Sequence, residues 1–204
     1  MDRAMTATVV PCDSDICLVG ELATLMRFAP HHKRDAAYLG WLRDHEVLRT
    51  LNLPHYMERP VSRAEIDSYC DRLMVSSDDM FLAIHLTADN SFAGTLKAAK
   101  IDRYAGHADI GIMIGRKELW GQGLATDAIG LLCRYLFENV GMRRLTAGCM
   151  ATNPGMIRVF EKLGFQREGV FRDQDRISET EFCDHIHLGC LHGEFTMPKR
   201  GDGR

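Results

Sequence analysis

The sequence predicts one α+β domain, built on a mixed, mostly antiparallel sheet that is flanked by helices. Two observations carry this prediction. Strand-like runs joined by a short turn indicate antiparallel hairpins, and a later strand–helix–strand succession indicates a β-α-β segment. The 204 residues suffice for a single domain with a core. No internal repeat or low-complexity linker divides the chain.

Capping signals and apolar periodicity locate the helices. Ser62, followed three residues later by Glu65, forms a capping box, and the helix that it opens runs to about Ser76. The longest helix carries its apolar residues on one helical stripe, and Gly141 lies just beyond its end. In chain order, the predicted helices are Arg34–Thr50, residues 62–76, residues 124–137 and Asn153–Leu163.

Turn residues and apolar runs locate the strands. Residues 88–90 separate two β-like runs, and a continuous apolar run after residues 102–106 is typical of a central strand. The predicted strands are Cys17–Leu25, Met80–Leu86, Phe92–Ile101, His107–Ile114, Arg144–Met150, Arg167–Arg172 and Cys183–Leu191. We expect an irregular lead-in at residues 1–15, a loop at Asn52–Pro60 and a polar tail at residues 196–204.

Composition argues against several classes of function. The net charge is −3, the pI is about 6.3, and Lys and Arg are scattered, so no basic surface indicates nucleic acid. No apolar run approaches the roughly 18 residues that span a bilayer. The seven cysteines form no C-x-x-C pair, which favours reduced thiols and a cytoplasmic location. Neither nucleic acid nor membrane is therefore expected as a partner.

A short glycine loop, Trp120–Thr126, joins the apolar run Ile110–Ile114 to the longest helix. The first N–H groups of a helix lack partners within it, and glycines let an anion approach them. This arrangement fits a phosphate site, although a plain structural turn would use the same residues. The dinucleotide and nucleoside-triphosphate glycine fingerprints are both absent.

The element order and this loop together resemble the GCN5-related N-acetyltransferase superfamily over about residues 16–195. Trp120 stands where many members carry Gln or Arg, which resembles the branch that acetylates ribosomal-protein N termini and its aminosugar- and polyamine-acetylating relatives. The resemblance implies splayed central strands, acetyl-CoA as donor and a primary amine as acceptor. Four segments carry it: residues 121–125, Ala108–Gly115, Asn153 with Ile157–Phe165, and Asp184 with Leu188–Phe195.

Several positions take cofactor-binding roles from this resemblance. Met113 and Ile114 would pair with the pantetheine arm, and a backbone N–H near Met113 would stabilise the oxyanion. Asn153 would contact pantetheine from the other side, although a plain helix N-cap explains it equally well. Phe160 is also placed at the cofactor. The N–H groups that would hold the pyrophosphate are those of Gln122, Gly123, Leu124, Ala125 and Thr126.

Asp109 is the candidate catalytic base. It interrupts an otherwise apolar strand, and the resembled branch commonly has an acidic residue there. Such a carboxylate would take a proton through a water molecule. The alternative is a carboxylate satisfied by a neighbouring Arg or by strand-end backbone.

The acid that would protonate the leaving thiolate has no obvious residue. Phe160 stands where many members have Tyr, and Met156 where others have Ser, and neither side chain can donate a proton. The proton would come from water, from the incoming ammonium, or from another side chain, for which Tyr104, His107 and His187 are the candidates. Because a thiol pKa lies near 8.5, loss of this acid need not abolish activity.

Two histidines mark the last predicted strand. Alternation places His185 and His187 on one face, opposite Asp184. A solvated edge-strand face is favoured over a wall of the acceptor cleft. Two such histidines without a further placed ligand do not predict a metal site, so no metal is expected.

The acceptor pocket is expected from Arg34–Arg63 and residues 102–106. The favoured acceptor is a small aminosugar or a nucleotide-linked aminosugar, and a protein N terminus is the close alternative. A polyamine would need an acidic cleft, for which the candidates are Glu65, Asp67, Asp71, Asp78 and Asp79. A catalytically degenerate module that only binds acetyl-CoA also stays open. Dimers are common in the resembled family, so a homodimer is one expectation.

Overall fold

The computed structural model describes residues 16–51, 53 and 59–198, which build one eight-stranded sheet with helices packed on it. The strands are β1 Cys17–Val19, β2 Ala23–Arg27, β3 Met80–Leu86, β4 Phe92–Asp102, β5 His107–Ile114, β6 Arg144–Met150, β7 Gln166–Arg176 and β8 Phe182–Leu191. The helices are α1 Pro30–Arg34, α2 Ala36–Trp41, α3 His45–Leu48, α4 Arg63–Met74, α5 Leu124–Glu138 and α6 Pro154–Lys162, with 3₁₀ turns at Lys117–Leu119 and His192–Glu194. None of these helices is long and apolar enough to cross a membrane.

The sheet is mixed and mostly antiparallel, as predicted. Its order is β1-β2-β3-β4-β5-β6-β8-β7, and β5–β6 is the parallel pair among the described strands. That pair runs from His107 opposite Arg144 to Ile110 opposite Ala147 and then ends. Beyond it β5 continues against β4 and β6 continues against β8. The predicted splay of the central strands is therefore present, as a gap between β5 and β6.

Each face of the sheet has its own core, because successive strand residues point to opposite faces. Leu82 and Ile84 of β3 belong to the large cluster that α5 covers. Phe81 and Ala83 belong to a smaller cluster with α2, α3 and α4. The β-strands thus form the middle layer of three.

The two earliest predictions need correction. Cys17–Leu25 is a hairpin and not one strand: the chain turns at Gly20, whose N–H donates to Ala23 O at 2.8 Å. Arg34–Thr50 is not one helix, because α1, α2 and α3 divide this region. Asp35 and Asp44 each accept a hydrogen bond from a backbone N–H two residues later, so each caps the start of a new short helix.

Later elements agree more closely with prediction. The Ser62–Glu65 capping box begins α4, and β3, β5 and β6 have the predicted bounds. The start of the predicted polar tail differs. The N–H of Thr196 donates to Leu163 O at 3.2 Å, and Met197 packs against Gly130 in α5. Residues 1–15 and 199–204 lie outside the described residues, and so do residues 52 and 54–58 of the predicted loop Asn52–Pro60.

A buried histidine pair joins α1 to β3. The N–H of Ala29 donates to His32 Nδ1 at 2.9 Å, so that nitrogen is an acceptor and His32 carries its hydrogen on Nε2. His32 Nε2 lies 2.9 Å from His85 Nε2, and His85 Nδ1 lies 2.8 Å from Asn90 O. The chain of bonds is complete only when both imidazoles are neutral. Burial, with smaller effects of His31 and His85, lowers the pKa of His32 to about 4.

This pair predicts a specific acid sensitivity. Between pH 6.5 and about 4 the unfolded chain protonates His32 and the folded chain does not. As the pH is lowered through that window, the free energy of unfolding should therefore decrease, and His32 should contribute at most about 1.4 kcal/mol per pH unit to this decrease. Above the window, protonation of His32 should not affect the free energy of unfolding. Urea unfolding across the window should show a shallower fall for His32→Gln than for wild type. Exposed His45→Gln is the control, and equal slopes for all three would contradict the assignment.

Candidate active site

A cleft of about 1210 Å³ passes through the gap between β5 and β6. One end is lined by the glycine loop and the first turn of α5, together with Arg158 and Lys162 of α6. The other end is lined by side chains of the opposite face of the sheet, among them Tyr69, Lys97 and Asp109. The gap therefore connects the two faces of the sheet, as a two-substrate site requires.

The glycine loop presents unpaired backbone donors to this cleft. Gly121 and Gly123 have φ values of 74° and 90°, the left-handed region that favours glycine. Gly123 occupies the N-cap position of α5 and offers no side chain to the helix. Within the described part of the chain, no acceptor meets the N–H groups of Gly123, Leu124, Ala125 and Thr126. Four open donors at the positive end of a fifteen-residue helix are an arrangement that can accept a phosphate group.

Gln122 differs from its prediction. Its backbone N–H turns back to Leu119 O at 3.4 Å, and its side-chain amide donates to Glu118 O. The backbone and side-chain N–H groups of Gln122 therefore both donate to the tight 3₁₀ turn that precedes the loop. The predicted N–H cradle begins at Gly123, one residue later.

Trp120 fixes the loop to the sheet. Its indole Nε1 donates to Ile114 O at 2.9 Å, at the last residue of β5. Trp120, which stands where many members of the resembled superfamily carry Gln or Arg, thus ties the glycine loop to the end of β5.

The edge of β5 shows which backbone groups face the gap. The N–H of Gly115 donates to Ala93 O of β4 at 3.0 Å, whereas Ile114 O faces away from β4 toward Trp120. Because backbone groups alternate sides along a strand, the N–H of Met113 is directed to β4. The N–H groups of Ile112 and Ile114 then face the gap, so the donor nearest the predicted oxyanion position is that of Ile114.

Asp127, which the sequence interpretation left without a role, anchors the start of α5. Its Oδ2 accepts hydrogen bonds from the N–H groups of Leu22 and Ala23 at 2.8 and 2.9 Å. A carboxylate in the first turn is also favoured by the helix dipole. The β1–β2 turn is thereby held against the helix that follows the glycine loop.

Asp109 lies on the face of β5 opposite α5 and lines the cleft. Its Oδ1 accepts a hydrogen bond from Thr146 Oγ1 at 2.9 Å, across the parallel β5–β6 pair. No arginine among the described residues pairs with it. This carboxylate is half-exposed and lies one residue before the strands separate. Among the described residues, the neutral hydroxyl of Thr146 is the one group that donates a hydrogen bond to it.

Asn153 and Phe160 occupy structural positions beside the cleft. Asn153 Oδ1 accepts from the N–H of Met156 at 3.1 Å, so it is the N-cap of α6, and its Nδ2 lies 3.5 Å from Thr50 O. Phe160 is 2% exposed and packs edge-on against Phe165. Both residues line the cleft, and their contact with pantetheine stays a prediction.

The proposed proton donors separate into two groups. Tyr104 is fully exposed in the β4–β5 turn and is not in the cleft lining, which removes it as a candidate. Of the other candidates, His107 and His187 line the cleft, and so does His185, which was not among the predicted donors. The expectation of a solvated edge strand was wrong, because β8 lies between β6 and β7 and its histidine face borders the cleft.

Comparison with known proteins agrees with this geometry. The family described as Acetyltransferase (GNAT) domain matches residues 24–166. The Bacillus subtilis protein named "Probable N-acetyltransferase YjcK" is 32% identical over 131 residues, which cover 64% of this chain and 71% of that protein. This chain belongs to the GNAT acetyltransferase family. It is an N-acetyltransferase, and acetyl-CoA is its acetyl donor.

Solved structures of acetyltransferases share the fold. A GCN5-related N-acetyltransferase from Brucella melitensis superposes with a TM-score of 0.68 at 25% identity, over 87% of this chain and 79% of that one. A spermidine N-acetyltransferase from Vibrio cholerae, in complex with CoA and spermine, superposes with a TM-score of 0.73 at 16% identity, over 86% and 98%. At that identity the second likeness concerns the fold alone.

The loop geometry of this acetyltransferase makes Gly123→Ala a direct test. Left-handed backbone costs a residue with a Cβ about 1–2 kcal/mol, so the loop should shift and the open N–H groups should lose their alignment. CoA should then bind about tenfold more weakly by calorimetry. Gly40→Ala is the matched control, since nothing lies within 4 Å of its added Cβ. Wild-type affinity in Gly123→Ala would contradict the role of the loop.

Proposed function

We propose that the chain transfers an acetyl group to the primary amine of a small acceptor that carries negative charge, such as a nucleotide-linked aminosugar or an aminosugar phosphate. The observation that carries this proposal is a lysine at the acceptor end of the cleft that has no carboxylate partner among the described residues. A cytoplasmic location, with the chain as a monomer or homodimer, is part of the same proposal, and the six described cysteines are all free thiols.

Lys97 lies on β4, directly opposite Gly111 on β5. Its aliphatic stem runs across Gly111, where an added Cβ would lie 3.0 Å from Lys97 Cε. Its Nζ is 3.5 Å from Tyr69 Oη, and no carboxylate of the described residues lies within 4 Å of it. A half-buried lysine with no counter-ion among the described residues attracts an anionic group. Since Asp109 stands two residues from Gly111 on the same face, that anion would lie near the reacting amine.

The acidic residues that a polyamine would require are engaged elsewhere. Lys33 pairs with Asp67 and Asp71, and Arg59 pairs with Glu65. Arg59 and Ser62 hold the pKa of Glu65 at about 2, so this carboxylate is ionised but already neutralised by its partner. Of the five acidic residues considered for a polyamine site, Glu65 alone lines the cleft. The charge distribution thus supports an anionic acceptor over a polycation.

The acetyl transfer itself needs a neutral amine and a stabilised oxyanion. In this proposal Asp109 removes the proton of the acceptor ammonium through a water, and the Ile114 N–H supports the developing oxygen charge. The open N–H groups of Gly123–Thr126 hold the pyrophosphate, with Arg158 and Lys162 available to the remaining phosphate. The edge of β5 up to Ile114 pairs with the pantetheine arm.

Asp109→Asn should test the catalytic base. The amide keeps the hydrogen bond to Thr146 but cannot take a proton, so kcat should fall about 100-fold while the KM for acetyl-CoA stays unchanged. Initial rates of CoA release provide the measurement. Asp89→Asn is the control, because Asp89 caps the β3–β4 turn and is not in the cleft lining. An unchanged kcat in Asp109→Asn would remove Asp109 from the reaction.

A CoA-release assay over an amine panel tests the acceptor class. The panel should contain a nucleotide-linked aminosugar, an aminosugar phosphate, a peptide with a free N terminus, and spermidine. We expect the anionic acceptors to have the highest kcat/KM, and Lys97→Met to raise their KM about tenfold, the effect of one charge-assisted hydrogen bond. Lys97→Arg, which keeps the charge, should retain most of the affinity.

The other outcomes of the panel each point to one alternative. A preference for spermidine or for the peptide would contradict the anionic acceptor. Binding of acetyl-CoA without turnover of any amine would favour the degenerate binding module.

A further inference from the structure

We infer that His185, held by Asp175, is the proton carrier that protonates the departing thiolate of coenzyme A. His185 would replace the acid that is absent where Phe160 and Met156 stand, since neither of those side chains can donate a proton. The assignment rests on acetyl transfer as the activity of the family and not on the identity of the acceptor.

The two residues form a buried acid–imidazole pair. His185 Nδ1 lies 2.6 Å from Asp175 Oδ2, and the side chains are 14% and 0% exposed. A carboxylate can only accept a hydrogen bond, so Nδ1 carries the hydrogen and Nε2 has a free lone pair. The buried partner fixes the orientation and the tautomer of the imidazole, and it also stabilises the imidazolium form.

A bulge in β7 brings the carboxylate to the histidine. Phe171 is the residue paired directly with His185, and the register between β7 and β8 shifts between Phe171 and Asp175. Within the bulge Asp173 has a φ of 52°, and its N–H donates to Asp184 Oδ1 at 3.0 Å. Bulges of this kind re-aim a side chain at functional sites. Here the re-aimed side chain is Asp175, which is 1% exposed.

The free nitrogen of the pair is directed to the mouth of the gap. His185 is paired with Met150 on β6, and its Nε2 edge lies over Gly148, where no Cβ could be accommodated. Gly148 is the first residue of β6 after Ala147, which is the last to pair with β5. The imidazole thus stands where the strands separate, and both His185 and Gly148 line the cleft.

The titratable and charged neighbours of this imidazole come from four strands. On β8, the His187 ring is centred 5.2 Å away. From β7, besides Asp175, Glu168 lies beside His187 and is bonded to Arg144 of β6. Asp109 of β5 faces the cleft from the opposite side of the gap. The site therefore has a carboxylate base on one side of the gap and an imidazole on the other.

Asp109 and His185 each take one proton during the reaction. Asp109, through water, first takes one proton from the acceptor ammonium and passes it to solvent. As the amine nitrogen bonds to the acetyl carbon, His185 Nε2 accepts a second proton from that nitrogen. When the carbon–sulfur bond breaks, Nε2 donates this proton to the sulfur, and the imidazole is neutral again. One C–N bond replaces one C–S bond, and no further reactant is needed.

Steady-state kinetics of two variants test the assignment. His185→Gln should lower kcat about 100-fold with an unchanged KM for acetyl-CoA, and Asp175→Asn should lower kcat through the wrong imidazole tautomer. His192→Gln is the control, because its ring stacks on Phe137 away from the cleft. A wild-type kcat in a folded His185→Gln protein would overturn the assignment.

Nuclear magnetic resonance of the wild-type protein gives a second test that needs no variant and no acceptor. With isotope-labelled histidine, the His185 Nε2 resonance should shift on addition of CoA but not of desulfo-CoA, which lacks the sulfur. Equal responses to the two ligands would show that the sulfur does not reach His185 and would overturn the assignment. Failure of every amine in the panel would affect the proposed acceptor but would leave this test intact.

Discussion

The parallel pairing of β5 with β6 ends after Ile110 and Ala147, and the rest of the site depends on this separation. Each strand keeps its partner on the outer side, out to Gly94 opposite Ile114 and His185 opposite Met150. The inner edges consequently present backbone groups without a strand partner. Unpaired backbone groups that lose contact with water are costly, so an extended ligand with amide groups of its own is the natural occupant.

The sheet divides the chemistry into two halves that meet in this gap. On the α5 face, the backbone N–H groups of the glycine loop and the two cations of α6 suit the phosphate groups of the acetyl donor. On the other face, Asp109, Lys97 and the His185–Asp175 pair suit the amine that is acetylated. Trp120 and Asp127 hold the loop to β5 and to the β1–β2 turn, so the donor half is fixed to the sheet from two sides.

Sequence reasoning predicted what local pattern determines. The capping box at Ser62, the bounds of β3, β5 and β6, and the glycine loop before α5 all follow from signals within a few residues. It did not predict the helix breaks at Asp35 and Asp44, because two aspartates in an amphipathic stretch do not by themselves indicate that each one caps a new helix. It also mistook β8 for an edge strand, since the order of β7 and β8 in the sheet is a long-range property.

The same limit explains the site residues. Asp109 could be found because a carboxylate interrupts an apolar run. Asp175 could not, because its pairing with His185 depends on a bulge whose register is invisible in the sequence. The alternation of His185 and His187 was a usable signal that they share one face of a strand. Their position beside Gly148 could be assigned only once the order of strands in the sheet was known. Likewise, the lack of a carboxylate partner for Lys97 within the described part of the chain follows only once the partners of the acidic residues are known.

We propose that the separated strands and the open start of α5 together bind coenzyme A. An amide-resolved magnetic resonance titration of the whole chain with CoA is the most direct measurement. We expect the largest changes on the N–H signals of Gly123–Thr126 and on those of Ile112 and Ile114, which face the gap. Unchanged signals at these six amides, with saturable binding elsewhere, would contradict it.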